Sequence, residues 1–493
     1  MPDTISDKII EFIMRKVGIH SASFYFPSIY VDIKDLALRR NIEYQKLSKG
    51  LGLNKMSFPD CDEDSASFAA NALIKLIDSN NINPKEIGRI YLGTESSIDS
   101  SKPTISYAVE IVEEILKGSH GKNCFKNTDI VDLTFACVGG VDALQNCLDW
   151  VRNEKQRKAI VIASDQAKYE LGSTGEYTQG SGAVAFLITE EPDLLEILDT
   201  WGIATKGVGD FFKPRRTYNK IDLFKEASRL LGKEVDDELL LKILESSNSK
   251  FWSNSNSKVE VFKEEPIFDG KFSNECYQER ILDALNHYEN QEKTDFFSSS
   301  QYLIFHLPYA YHGRRIIFKK WLSWITKNGE VDQLYKEIGN ESDEKLFVKK
   351  ASKSKLYLDF VKNKIMPGEI ASSEIGNMYS ASIFMSLLSL FNSAFKNQIE
   401  ITNNIVGFIS YGSGSKAKVF KGIVQSGWKE QIKGLKLFEI LESRKKIKIE
   451  TYEKLHKNQI SNPLTSDKNV VKLSKIGSGE FNLGLRRYKY NQK

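Results

Sequence analysis

Ile130-Val-Asp-Leu-Thr-Phe-Ala-Cys-Val-Gly-Gly140 opens as a strand, and Val141-Asp-Ala-Leu-Gln-Asn-Cys-Leu-Asp-Trp150 continues as an amphipathic helix. Cys137 therefore stands where a strand ends and a helix begins. A thiol in that place feels the positive end of the helix dipole, which stabilises its thiolate. Gly139 and Gly140 let another backbone or a ligand come close. Local features leave two readings open: a nucleophile, or the inert small hydrophobe that a cysteine in an apolar segment usually is.

The same alternation extends outward in both directions. Strand-like runs occupy Lys16 to His20, Arg89 to Gly93, Lys158 to Ala163, Ala183 to Ile188, Tyr302 to His306 and Val406 to Ser410. Helical patterns lie between them at Ser65 to Ile77, Ile105 to Lys117, Glu279 to Tyr288 and Ser382 to Phe391. Buried strands alternating with helices indicate an α/β layered fold. Gly180-Ser-Gly182 and Gly412-Ser-Gly414 each follow a strand–turn region and open another strand, which hints at duplication of one unit. The expected organisation is an N-terminal extension (1–15), a first half (16–195) carrying Cys137, and a second half (196–493) with a charged helical insert at about 218–265. The insert is either a surface elaboration or a lid or dimer contact.

The chain has 493 residues, enough for two or three domain-sized units, and is 41% hydrophobic and 27% charged, as globular proteins are. A net charge of +4, from 69 basic and 65 acidic residues, gives no support to a nucleic-acid binder. Five irregularly spaced cysteines without a Cys-x-x-Cys argue against disulfides and zinc sites and for reduced, cytoplasmic thiols. No apolar stretch approaches membrane-spanning length, and the N-terminus lacks the basic start and cleavage site of a signal peptide.

Three further segments have the composition of an active site. Gly93-Thr-Glu-Ser-Ser-Ile-Asp99 puts Glu95 at the C-terminal end of an apolar strand, where ligands bind in open α/β sheets. Glu95 is there either a helix cap or a general acid/base, and Asp99 a cap or a structural acceptor. His306 ends another strand before Pro308 and is either a core imidazole or a functional one. Asn377 precedes an apolar helix and is a natural N-cap. Together Cys, Glu, His and Asn suit carbon–carbon bond formation on thioesters. The thiolate takes an acyl group, the carboxylate moves protons at its methyl group, and imidazole and amide donate to carbonyl oxygens gaining charge. No cofactor is needed: no metal cluster, phosphate-binding loop or dinucleotide fingerprint is present.

These residues resemble the hydroxymethylglutaryl-CoA synthase family of the thiolase superfamily. The resemblance runs from about Lys16 to Tyr490, the insert excepted. It rests on Gly93–Asp99, Phe135-Ala-Cys-Val-Gly-Gly140, Ser173-Thr-Gly-Glu-Tyr-Thr-Gln-Gly-Ser-Gly182, Asp210-Phe-Phe-Lys-Pro214, Pro266–Ser273, Phe305-His-Leu-Pro308, Gly376-Asn-Met-Tyr379 and Ser410-Tyr-Gly-Ser-Gly414. It implies a duplicated thiolase-like fold layered αβαβα, a homodimer, and acetyl-CoA and acetoacetyl-CoA as substrates of an acyltransferase. It further implies that Cys137 takes the acetyl group, Glu95 deprotonates its methyl, and His306 polarises the acetoacetyl-CoA carbonyl. Asn377, Gly412 and Ser413 are implied beside the substrate, with Asp99, Asp165, Tyr169 and Asp210 in supporting positions. Val138 departs from the Tyr that follows the nucleophile in many members. Arg314, Arg315, Lys319 and Lys320 are either contacts for CoA phosphates or a solvated helix face. Two rivals are condensation on carrier-protein-bound substrates, as in polyketide β-branching, and a non-catalytic acyl-CoA-binding homologue. Ser173–Gln179 looks more like the mevalonate type, and joint retention of Cys137, Glu95 and His306 argues against a non-catalytic homologue.

Overall fold

A computed structural model describes residues 15–247 and 258–492. The expected N-terminal extension, Arg15 excepted, and residues 248–257 of the polar loop lie outside them. The chain forms two compact units, Met1–Asp210 with Gly270–Lys493, and Phe211–Asp269. The smaller unit contains the expected insert and is more than helical. Arg215–Asn219 pairs antiparallel with Lys258–Phe262, and Phe211-Phe212 with Ile267-Phe268. Its helices, Lys220–Leu230 and Asp237–Ser246, leave Leu230, Leu231, Leu239 and Leu241 exposed.

In the larger unit ten strands form one sheet: β1 (Val17–Tyr25), β2 (Ile87–Gly93), β3 (Asp129–Leu133), β4 (Lys158–Ala167), β5 (Gly180–Glu190), β6 (Leu195–Ile197), β7 (Gly202–Thr205), β8 (Tyr302–Phe305), β9 (Ile405–Gly412) and β10 (Lys416–Val424). The order is β8-β9-β10-β6-β1-β5-β4-β2-β3, with β7 also on β10. The duplication is visible in this order. In the first half β1 lies antiparallel to β5, β5 antiparallel to β4, and β4 parallel to β2. In the second half β7, β10, β9 and β8 repeat that sequence of directions. The short β6 joins the halves by pairing with both β1 and β10. The two Gly-Ser-Gly stretches are not equivalent within this repeat. Gly180 opens β5 after a long connection, whereas Gly412 closes β9 and Ser413 begins the tight turn into β10.

The layering follows from side-chain alternation along the strands. The helices are α1 (Ser65–Ser79), α2 (Thr104–His120), α3 (Gly139–Arg152), α4 (Gly270–Glu292) and α5 (Ser382–Lys396). Val184, Phe186 and Ile188 of β5 join a core with α3 and α5, while Ala183, Ala185 and Leu187 join one with α1 and α2. In the second half Val406 and Phe408 face the α3/α5 core, and Ile409 and Tyr411 face α4. Helices α3 and α5 are thus the middle of five layers, αβαβα. As a helix covered on all sides should be, α5 is apolar around most of its circumference, and it is buried from Ser382 to Ala394.

Late segments of the chain complete the first half. Lys445-Lys446 pairs with Ile29-Tyr30, and a hairpin of Val470–Ile476 with Arg486–Asn491 packs on α1 and α2. Asn71 of α1 exchanges two hydrogen bonds with the backbone of Val471. Among the described residues no helix is long and apolar enough to cross a membrane.

Candidate active site

The strand–helix junction at Cys137 takes the form the sequence predicts, with α3 starting at Gly139, two residues earlier than Val141. The turn is closed by Val138 N–H donating to the Phe135 carbonyl (3.1 Å) and Gly139 N–H to that of Ala136 (3.3 Å). Ala136 has a φ of 39°, a left-handed conformation that a residue with a Cβ adopts at a cost. Cys137 is carried on this turn, 8% exposed, and its thiol donates to Glu95 Oε1 across 3.1 Å.

Glu95 reaches the thiol because β2 and α3 touch backbone to backbone. A Cβ on Gly93 would lie 2.2 Å from the Gly140 nitrogen, so only glycine allows this approach. Asp165, fully buried near the end of β4, fixes the Glu95 loop from behind. Its Oδ1 accepts from Glu95 N–H (2.8 Å) and the Thr94 hydroxyl (2.9 Å). Its Oδ2 accepts from Ser380 N–H (2.9 Å) and the Ser380 hydroxyl. Hydrogen bonds to a buried carboxylate are strong ones, and here they tie the Glu95 loop to the turn ahead of α5.

His306 lies just beyond β8 and is 1% exposed. Its N–H donates to the Ile409 carbonyl (3.1 Å) and its own carbonyl accepts from the Tyr277 hydroxyl (2.7 Å). Burial pushes the imidazole pKa down to about 3, a backbone hydrogen bond with Tyr379 opposing it, so the ring is neutral at physiological pH. Its Nδ1 is buried without a protein hydrogen-bond partner among the described residues, an arrangement that costs about 1–3 kcal/mol unless a bound molecule supplies one.

The remaining predicted residues divide by their contacts. Tyr169 belongs with the reacting pair. Burial, then the proximity of Cys137 and Glu95, raise its phenol pKa, and its backbone is held by Gln179 (2.8 Å) and His456 (2.7 Å). Asn377 Oδ1 accepts from Tyr379 N–H (2.8 Å) and the Ser382 hydroxyl (3.1 Å), closing the chain over the entry to the short 3-10 turn; the N-cap of α5 is Ala381, not Asn377 as the sequence suggests. Asp210 shapes the turn after β9. Its carboxylate accepts from the Tyr411 hydroxyl (2.6 Å) and Gly414 N–H (2.7 Å), while Ser413 hydrogen-bonds Tyr411. Gly412 brings that turn against the nucleophile, where a Cβ would meet the Phe135 carbonyl oxygen at 2.6 Å. Asp99 serves its own loop, accepting from Ser101 N–H (2.7 Å), Lys102 N–H (2.8 Å) and the Tyr107 hydroxyl (3.1 Å), which hold its pKa below the usual carboxylate value. Among the basic residues after His306, Arg314 is paired with Glu369 and Lys320 with Glu289 (2.7 Å). Sequence reasoning gave no role to Thr94 or Ser380, although they lie in and beside quoted motifs, and passed over Tyr277, which sits in an ordinary helical pattern with no local signal.

Residues 13–193 match the family model described as hydroxymethylglutaryl-coenzyme A synthase N terminal, and residues 256–476 the one described as its C terminal. Among curated proteins the chain is 28% identical over 459 residues to a hydroxymethylglutaryl-CoA synthase of Haloferax volcanii, covering 90% of this chain and 92% of the relative. It is 27% identical to that of Enterococcus faecalis, covering 89% and 90%. A solved structure of MvaS in complex with 3-hydroxy-3-methylglutaryl coenzyme A matches with a TM-score of 0.73 at 25% identity, over 97% of this chain and 100% of that one. The curacin biosynthetic pathway HMG synthase, 19% identical, shares the fold with a TM-score of 0.70 over 96% of this chain and 100% of that one.

Proposed function

Because this chain belongs to the hydroxymethylglutaryl-CoA synthase family, we propose that the site around Cys137 condenses acetyl-CoA with acetoacetyl-CoA to give 3-hydroxy-3-methylglutaryl-CoA, a precursor of mevalonate, and free CoA. The observation that carries the assignment of roles is the 3.1 Å contact of the Cys137 thiol with the Glu95 carboxylate, in a site that also holds a buried neutral imidazole.

Cys137 Sγ attacks the acetyl-CoA carbonyl; the new S–C bond replaces the bond to CoA, which leaves as thiol. Glu95, next to the sulfur, takes a proton from the methyl group of acetyl-Cys137. The resulting carbon nucleophile bonds to the ketone carbon of acetoacetyl-CoA, whose oxygen takes up a proton. A neutral His306 can hydrogen-bond that oxygen as charge develops on it. Asn377 and Ser413 line the acceptor's approach. Water then cleaves the Cys137 thioester, freeing the product's carboxylate and regenerating the thiol. Asp165, Asp210 and Gly412 serve by shape: they hold the Glu95 loop, the Ser413 turn and the nucleophile turn in register. We also infer a cytoplasmic setting, where the five cysteines, none of them in a disulfide, stay reduced, and a homodimer, as the family implies.

The test is to mix purified protein with acetyl-CoA and acetoacetyl-CoA and follow products by mass spectrometry. Hydroxymethylglutaryl-CoA without added carrier protein is expected. Acetylated Cys137 with no product would instead assign the acceptor to a carrier protein.

A further inference from the structure

We propose that Tyr277 is a positioning residue for the condensation step, holding His306 in register with the Ser413 turn. The inference rests on the role given to His306 above. Tyr277 lies in α4, is 3% exposed, and belongs to none of the motifs that mark the site. Its hydroxyl donates to the His306 carbonyl, the first carbonyl past the end of β8. Its ring lies nearly parallel to the imidazole (21°, centroids 6.2 Å apart). On other sides it packs on Tyr411 (4.3 Å) and meets His312 edge-to-face (4.5 Å, 80°).

These contacts join two parts of the site that the chain separates by about a hundred residues. Tyr411 donates to Asp210, and Asp210 holds Gly414 N–H. One phenol ring therefore touches both the residue bearing the imidazole and Tyr411, which anchors Asp210 at the Ser413 turn. That turn in turn abuts Phe135 through Gly412. The Tyr277 hydroxyl is committed to a backbone carbonyl and burial holds it firmly protonated, so it acts through His306 rather than by transferring a proton. A shift of His306 would spoil attack on the ketone while leaving in place the Glu95 loop, which Asp165 holds separately.

The two half-reactions separate this role from simple packing. Tyr277→Phe is expected to acetylate Cys137 from acetyl-CoA within about twofold of the wild-type rate, while kcat for condensation falls about tenfold to a hundredfold and KM for acetoacetyl-CoA rises. Tyr277→Leu, lacking ring and hydroxyl, is expected to lose more condensation at the same acetylation. Acetylation of one thiol per chain reports that the folded site survives in each variant. Equal losses in both half-reactions, or no loss in either, would overturn the proposal. His306→Asn is measured alongside: if it condenses normally, the role of His306 itself is wrong. If it fails while Tyr277→Phe is normal, only the inference about Tyr277 is lost.

Discussion

Gly412 and Phe135 meet at the boundary between the two halves of the duplicated unit, with no room for a side chain on the glycine. A Cβ there would also press on Val138 N (2.9 Å) and Val138 Cγ1 (2.8 Å). The nucleophile turn of the first half is therefore braced by the end of β9 in the second. Gly412→Ala should displace Cys137 and slow its acetylation by about tenfold or more, since misplacement by an ångström can cost a hundredfold. Stopped-flow release of CoA on mixing with acetyl-CoA reads that step directly, and an unchanged burst would show that the brace is dispensable.

Glu95 is given work only after acylation. For Glu95→Ala, an acetyl label on Cys137 is expected to form while condensation falls by roughly two or more orders of magnitude. Intact-protein mass spectrometry and product assay measure the two separately. Equal loss of both would make Glu95 a structural residue.

Asp165 accepts four hydrogen bonds from Thr94, Glu95 and Ser380. Asparagine at this position must turn a donor toward one set of donors. Asp165→Asn should therefore cost about 2–3 kcal/mol of stability and lower condensation with it. Urea unfolding followed by tryptophan fluorescence checks the first part; a midpoint equal to wild type would remove Asp165 from its clamping role.

Buried His306 makes stability depend on pH with a definite sign. Its folded pKa of about 3 lies below the ordinary 6.5, so between those values the unfolded chain binds a proton that the folded chain does not. Stability is therefore present above about pH 6.5 and is lost as pH falls toward 3, by roughly 2 kcal/mol between pH 7 and pH 5 from this group. His312, pushed down well below its ordinary value by burial and by His306, acts in the same direction. Comparing wild type with His306→Asn in urea at both pH values isolates the effect; an identical pH dependence would mean that folded His306 takes up its proton in the ordinary range.

Local pattern carried the strands, the helices and the Cys137 turn, because alternation and glycine placement are written in neighbouring residues. It carried Glu95 and His306 as strand-end residues for the same reason. The jobs of Asp165 and Asp210 are not local. Asp165 finds Ser380 at a separation of 215 residues and Asp210 finds Tyr411 at 201, and nothing in the intervening sequence marks the partner. Neither reading of Arg314, phosphate contact or solvated face, includes its ion pair, because Glu369 lies 55 residues on. The Gly-Ser-Gly match points to the duplication that the sheet shows, but not to equivalent positions, because the β4–β5 connection is long while the β9–β10 turn is short, which puts the same tripeptide at different places in the repeat.

The pairing of Asn71 with Val471, across 400 residues of sequence, has a consequence during synthesis. At ~5–20 residues per second the ribosome needs roughly 20–80 s to make the strand that covers α1. Once β6 is made, and for the rest of that interval, the nascent first half has its strands and helices but lacks the hairpin that closes its outer flank. Buried Lys472, which pairs with Glu63 at 2.8 Å, arrives at the same late moment. The first repeat thus cannot finish folding as an independent module. A truncation before residue 470 should leave a sticky, chaperone-dependent species rather than a smaller native protein.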